Sequence, residues 1–389
     1  MLIAGEASGD LLAAELVRAL KSSPQIRALP FAPRFFGAGG PRMAAEGVEL
    51  DIDLTRHSVV GVSDVLKKLL EFKRLLDHLV DLAIRLQPEV IVCVDFSGFN
   101  RRFARALRRK TGNGTFRNWR PRIVQYVSPQ VWASRPGRAR KMIREIDLLL
   151  SIFPFEKEWY ARRAPGMRVE FVGHPIVNRY GSHRSPSKRA SGDDKGFRQE
   201  VLLLPGSRVA ELNRHLPSML KAAWLIRQNS PTTTFRLVLP NEQLARQVRA
   251  QLKLANLPEP RLVGPDHTTA VSTCLSEADI QVDGLGEALS TADLAIASTG
   301  TVTMECAFFG VPTIAIYKTS LINYLLARML ITVRHVAMPN VLANEEVFPE
   351  FMQHAASPHN IASAALELLS DSSKRGAMKS RLDQIVRSL

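Results

Sequence analysis

The segment VLLLPGSRVAEL, residues 201–212, ends an apolar run at Pro205 and continues into residues suited to an anion. Gly206 lets a ligand approach the backbone, and Ser207 can cap a following helix whose N–H groups then face negative charge. Arg208 offers a planar fork that matches phosphate oxygens. The segment STGTVTMEC, residues 298–306, repeats the plan after the apolar run DLAIA, with Thr299, Gly300 and Thr301 at a helix start. Glu305, one turn further on, can accept two hydroxyls of a ribose. Its bland alternative is to complement the helix dipole. Two such loops in one half of a chain argue for a nucleoside diphosphate.

The first half carries a different set. GEASGD, residues 5–10, places Glu6, Ser8 and Asp10 after a first apolar run. CVDFSGFN, residues 93–100, puts Asp95 at the end of another. Desolvation there is expected to raise the pKa of Asp95 and suit it to general-base work, while a cap or a satisfied structural aspartate is the plainer reading. QYVSPQVWASR, residues 125–135, packs Tyr126, Ser128, Gln130 and Trp132 around Pro129 and reads as a binding loop. Two motifs are decoys. GAGGPRM, residues 37–43, lacks the final glycine and the acidic partner of a dinucleotide fingerprint. The Asp-x-Asp of residues 51–53 sits in an alternating, strand-like run with no further metal ligands near it. His174, before Pro175, reads as a structural hydrogen bonder.

Short apolar runs alternating with helical-period stretches must position these residues. LIAG, RFFGAGG, VIVCVD, RIVQYVS, DLLLSIF and RVEFVG are each strand-like, and helical patterns follow most of them. Such alternation means βα units and a parallel sheet. Residues 181–198 have linker composition, and the alternation then restarts with EVLLLPGS, FRLVLP, IQVDG, DLAIAS and PTIAIY. The expected organisation is a Rossmann-like domain over 1–180, a linker over 181–198, a second Rossmann-like domain over 199–352 and a helical segment over 353–389. In open α/β sheets ligands bind beyond the carboxyl ends of the strands, so polar residues there are the candidates.

The 389 residues are 46% hydrophobic and 23% charged, a globular composition suited to two domains. No run reaches the ~18 apolar residues of a membrane span. The start reads as the tail of a first strand and not as a signal peptide. Cys93, Cys274 and Cys306 lack metal spacing and read as reduced cytosolic thiols. The net charge is +15, and residues 101–144 hold fourteen Lys and Arg with no Asp or Glu. Such a field attracts anions, although a merely solvated basic face would have the same composition. Without a helix-turn-helix, zinc or RNP signature, a phosphorylated substrate or an anionic membrane is favoured over nucleic acid. Residues 61–86 are amphipathic. They read either as a helix packed on the sheet or as a surface for acyl chains and bilayer, with Lys67, Lys68, Lys73 and Arg74 at the head groups.

The motifs AGEASGD, GAGGPRMAAEG, GVSDVL, VDFSGFN, YVSPQVWA, FPFEKEWY, FVGHPI, LLPGSRVAE, GTVTMECA and MPNVLA occur in the order seen in the lipid-A-disaccharide synthase family, and the chain resembles that family over nearly its whole length. The resemblance implies an α/β fold of GT-B type, two Rossmann-like domains facing across a cleft, with C-terminal helices and with no metal or other cofactor. It implies an inverting glycosyltransferase of lipid A and lipopolysaccharide biosynthesis. The substrates would be UDP-2,3-diacylglucosamine and 2,3-diacylglucosamine 1-phosphate (lipid X), and the products a β-1,6 disaccharide 1-phosphate and UDP. It implies Asp95 as base and Glu6 near the sugar. Gly206, Ser207, Arg208, Thr299, Gly300, Thr301 and Glu305 would bind UDP, and Ser8, Asn100, Gln130 and Asn340 the acceptor or sugar. It also implies a cytoplasmic enzyme peripheral on the inner face of the inner membrane, with a homodimer as one candidate assembly. The chain departs from the family at Gly98 and Asn178, where Asp is usual, and at Ser134, where Trp is usual. It also starts and stops short of the family's first strand and last helix. Two other readings share the nucleotide loops: a non-catalytic binder of UDP-sugar or anionic lipid, and a UDP-sugar 2-epimerase of the same fold.

Overall fold

The computed structural model describes residues 1–57, 65–112, 119–181, 198–255, 275–320, 324 and 328–389. The linker read at 181–198, Cys274, GVSDVL, the insert TGNGTFRNW and the side chains of residues 56–69 lie wholly or partly outside them. The chain divides into two compact units, Met1–Pro175 and Ile176–Leu389.

The first unit is a seven-stranded sheet. Its strands are β1 (Leu2–Ala4), β2 (Phe36–Gly39), β3 (Glu49–Asp53), β4 (Val90–Val94), β5 (Arg122–Tyr126), β6 (Leu148–Ser151) and β7 (Val169–Phe171), in the order 3-2-1-4-5-6-7. Every pairing is parallel. Side chains alternate between the two faces, as a two-residue period demands. Ile3, Ile91 and Cys93 enter one core with Phe99, Phe103 and Leu107, whereas Leu2, Ala4 and Val94 enter a second with Ala13, Val17 and Met43. Both faces of β1 and β4 are covered, which is why these two strands read as continuous apolar runs. Burial pushes the Cys93 thiol up to about 12, so it is an inert packing group. The Asp-x-Asp strand is an edge: Asp51 contacts His78 at 2.6 Å, and Asp53 accepts from the Thr55 N–H at 3.1 Å.

The second unit has six strands: β8 (Glu200–Leu204), β9 (Thr234–Leu239), β10 (Ile280–Val282), β11 (Leu294–Ser298), β12 (Thr313–Tyr317) and β13 (Glu350–Met352). Their order is 10-9-8-11-12-13, again all parallel. Strand β13 is three residues long and lacks the apolar run that marks the others. The C-terminal stretch forms two helices, Pro358–Ser370 and Ser372–Arg387, capped by Ser357 and Asp371 at the Asn360 and Lys374 N–H groups. Ile361, Ala365, Leu368, Leu382 and Ile385 from these helices complete the core of this unit.

The basic run is partly compensated by the two acids that follow it. Glu145, 3% exposed, accepts from Arg101 at 2.8 Å and also from Arg105. Asp147 takes Arg108 and the Ile123 N–H. Part of the one-signed stretch therefore closes the helix Ser97–Gly112 onto the sheet, because a buried guanidinium requires a carboxylate. No described helix is long and apolar enough to cross a membrane.

Candidate active site

Each sheet reverses its strand order once, at β1/β4 in the first unit and at β8/β11 in the second. The carboxyl ends at such a reversal open a crevice where α/β proteins hold ligands. Most of the residues singled out in the sequence follow one of these four strands.

In the first unit, Glu6 precedes the helix Ala7–Ser22 and Ser8 is exposed in its first turn. The β1 loop interlocks with the β4 loop. A Cβ on Gly5 would lie 2.1 Å from the Phe96 ring, so only glycine fits. Asp95 and Phe96 both take left-handed backbone, with φ of 46° and 38°. Consecutive non-glycine residues in this region cost about 1–3 kcal/mol each and need outside support. The support is a clamp on the Asp95 carbonyl. It accepts from Asn100 Nδ2 at 2.9 Å and Gln125 Nε2 at 3.1 Å, and the Asp95 N–H donates to Tyr126 O at 2.9 Å.

Two expectations change here, at Asp95 and Asn100. Asp95 is half-buried and not the fully desolvated carboxylate expected at the end of a buried strand, because the turn lifts it out of the sheet. Asn100 is fully buried, so in this structure its amide positions the Asp95 turn and does not present itself to a sugar. Asp10 is a cap: its carboxylate accepts from the Gly40, Arg42 and Met43 N–H groups at 2.8–3.1 Å. This explains the glycines of the dinucleotide decoy. A Cβ at Gly40 would press on Asp10, and one at Gly37 on Leu2 O.

Beyond β5, Gln130 is exposed at the start of the helix Val131–Ser134. Beneath it lies a buried network. Trp132 Nε1 donates to Glu156 Oε1 at 2.9 Å, and the Phe153 N–H to Glu156 Oε2 at 3.3 Å. Glu156 is the third residue of the helix Pro154–Arg163 and reaches back to its start, so the motifs VWA and PFEK are one hydrogen-bonded unit. Burial pushes the Glu156 carboxyl up to about 7 against these donors. Beside it the Ser128 hydroxyl donates to the Tyr160 hydroxyl at 3.1 Å, and Tyr160 donates to Pro129 O at 3.2 Å. The His174 ring lies 5.3 Å from that of Phe153.

In the second unit, Gly206 has φ of 119°, and a Cβ there would collide with Glu211. Glu211 folds back to accept from the Ser207 N–H at 3.0 Å and from Arg208 at 3.3 Å. This fixes the turn at the start of the helix Val209–Asn229 and leaves Ser207 and Arg208 exposed. Thr299, Gly300 and Thr301 follow β11, and Gly300 and Thr301 are exposed at the start of the helix Thr301–Phe308. A Cβ at Gly300 meets nothing within 4 Å, so the space before this helix is open. Glu305 accepts from the Tyr180 hydroxyl at 3.1 Å, and Arg179 lies 3.8 Å from it. Tyr180 in turn packs against Phe309 with ring centroids 5.1 Å apart. Its phenol is held above its ordinary range, first by burial and then by the Glu305 charge.

Asn340 is fully buried and satisfied on both sides. Its amide donates to Phe348 O and Glu350, and its oxygen accepts from the Val347 and Phe348 N–H groups, all at 2.8–3.0 Å. It is thus a fixed strut between the helix Met338–Ala343 and β13, and its amide, used fully inside the protein, is not turned outward for a sugar. Gln125 and His215, neither singled out in the sequence, are buried loop clamps. His215 Nδ1 donates to Pro205 O at 2.8 Å. Nothing local marks His215, whereas Lys318, at the carboxyl end of β12, is flagged by the same strand-end rule that found Arg208.

A family model described as lipid-A-disaccharide synthetase matches residues 1–389. The chain is similar to the lipid-A-disaccharide synthase of Syntrophus aciditrophicus, 35% identical over 392 residues with 99% of this chain and 92% of the relative covered. It is likewise similar to that of Trichlorobacter lovleyi, 33% identical over 387 residues with 99% and 91% covered. Among solved structures, one from Listeria monocytogenes assigned as a UDP-N-acetylglucosamine 2-epimerase has a TM-score of 0.58 at 14% identity, covering 100% of this chain and 94% of its own. A calicheamicin glycosyltransferase has a TM-score of 0.54 at 13% identity, covering 100% and 93%. At such identity these structures share the two-domain GT-B fold and carry no statement about activity. The full-length family match and the relatives' identity together place the chain in the lipid-A-disaccharide synthetase family.

Proposed function

We propose that the chain transfers a 2,3-diacylglucosaminyl group from its UDP conjugate to 2,3-diacylglucosamine 1-phosphate. The acceptor 6-hydroxyl attacks the anomeric carbon, the carbon–oxygen bond to the diphosphate breaks, and UDP leaves from the opposite face. Asp95 takes the hydroxyl proton, a role worth about 10²–10⁴-fold in rate. Gly206, Ser207, Arg208, Thr299, Gly300 and Thr301 stabilise the charge growing on the diphosphate through fixed N–H dipoles and one guanidinium. Glu305, held by Tyr180, takes the ribose hydroxyls. Glu6, Ser8 and Gln130 orient the sugars. Asn100 acts through the Asp95 turn, and Asn340 through β13.

The observation that supports this reading is that carboxylates follow the reversal strands of the first unit, whereas glycine turns at helix starts and an exposed arginine follow those of the second. Release of UDP from UDP-2,3-diacylglucosamine, measured with and without the acceptor lipid, tests it. Release only with acceptor, abolished by Asp95→Asn, is expected. UDP binding without turnover identifies a binding protein instead, and turnover without acceptor an epimerase-like or hydrolytic enzyme.

The helix Val65–Leu86 supports a seat on the membrane. Leu79, Val80, Leu82 and Ala83 are buried on the sheet, while Leu70 is 57% exposed and Lys73 and Arg74 face solvent. An exposed leucine beside two exposed cations suits the interface of an anionic bilayer, here the cytoplasmic leaflet. Sedimentation with anionic but not neutral vesicles is expected. Sedimentation velocity of the free chain decides between monomer and homodimer.

A further inference from the structure

Strand β12 neighbours β11 in the second sheet, so the residues after it stand next to the turn at 299–301. That loop is fixed at two points. The Lys318 N–H donates to His215 Nε2 at 3.0 Å, and His215 Nδ1 donates to Pro205 O at 2.8 Å. A backbone N–H can only donate and a carbonyl can only accept, so the ring is neutral with its hydrogen on Nδ1. Burial holds this imidazole below its ordinary pKa. The Thr319 N–H donates to Gln353 Oε1 at 3.0 Å, and Gln353 Nε2 donates to Thr319 O at 3.2 Å.

What the fixed loop holds is a half-buried ammonium. Lys318 Nζ donates to the hydroxyl of Ser218, itself buried in the helix Val209–Asn229. Among the described residues Lys318 forms no ion pair, and burial lowers its pKa. Arg214 and Lys318 both repel a proton from His215, and Glu211, the carboxylate that favours one there, is already engaged by Ser207 and Arg208. A partly desolvated cation without a carboxylate is costly unless an anion completes it. The open space before Gly300 lies at the end of the neighbouring strand.

We propose that Lys318 is a binding residue for the leaving diphosphate, forming a third side of the site whose other sides are the 205–208 and 299–301 turns. His215 is a positioning residue that ties the Lys318 backbone to the 205–208 turn. This rests on the functional reading above and assigns to it a cation and a strut.

The test is calorimetric titration of UDP into the full chain and its variants, with the melting midpoint of each unliganded protein as a control. Lys318→Gln is expected to weaken UDP binding about 10–100-fold, the range of one charge-assisted hydrogen bond, without lowering the midpoint, since the variant removes an uncompensated cation. Lys318→Arg restores most of it. His215→Asn keeps a donor for Pro205 O but loses the acceptor for Lys318, and it weakens UDP binding about 5-fold. Combined with Lys318→Gln it adds less than twofold, because the two act in series. UDP binding by Lys318→Gln within twofold of wild type overturns the inference, as does equal loss in Lys318→Gln and Lys318→Arg. A wild-type chain that does not bind UDP at all overturns the functional reading, and this inference with it.

Discussion

The two units have the same parallel topology around their strand-order reversals but carry opposite chemistry there. At β1/β4 the loops present Glu6 and Asp95 and tolerate two left-handed residues because Asn100 and Gln125 clamp one carbonyl. At β8/β11 the loops present glycines, helix N-termini and Arg208, and Glu211 is spent on holding the turn. Topology therefore sets two like crevices, and the side chains after each strand give them different character. Under the proposed function, the first reversal takes the proton and the second holds the anion.

The largest effect expected from breaking this division is at Asp95. Asp95→Ala should lower kcat by about 10²–10⁴-fold and leave the UDP dissociation constant within threefold. Equal losses in both quantities would show that the first reversal also holds nucleotide. Next come the buried struts, one in each unit. Asn340→Ala leaves the Val347 and Phe348 N–H groups without their acceptor and should cost about 3 kcal/mol in a urea unfolding series.

In the first unit the Glu156 carboxyl is raised by burial to about 7, so the folded state holds its proton more tightly than the unfolded chain does. Stability from this group is greatest below the ordinary carboxylate range, falls as pH rises from there to about 7, and is level above. The loss totals roughly 3 kcal/mol. Glu156→Gln imitates the protonated form and should flatten that part of the pH–stability curve.

Arg208→Ala sharpens the comparison from the other side. It should weaken UDP binding and kcat/KM together by about 10–100-fold, the worth of a charge-assisted contact. The smallest effect is at Gly98, whose added side chain meets nothing within 4 Å in the first turn of the helix Ser97–Gly112. Gly98→Asp should raise stability by about 0.5–1 kcal/mol in thermal unfolding, through lower chain entropy and the helix dipole.

Much of this arrangement is legible in the sequence because buried parallel strands are continuous apolar runs and the polar residues that end them stand out. Glu6, Asp95, Arg208 and Gly300 each follow such a run and stand at the carboxyl end of a strand. That rule fails for β13, whose three residues lack an apolar run. Asn100 and Asn340, assigned to the sugar by the family resemblance and not by this rule, fold inward. The rule cannot find His215 in mid-helix, because its partners Pro205 and Lys318 lie ten residues away and across the sheet. The GAGG motif shows the converse. Its glycines answer to Asp10 and Leu2, contacts set by tertiary packing and not by any ligand.

The most direct measurement is a crystal structure with UDP bound. The account predicts the diphosphate at the carboxyl ends of β8 and β11, with its oxygens on the main-chain N–H groups of 206–208 and 299–301 and on the Arg208 guanidinium. UDP seated instead at the β1/β4 loops around Glu6 and Asp95 would contradict it.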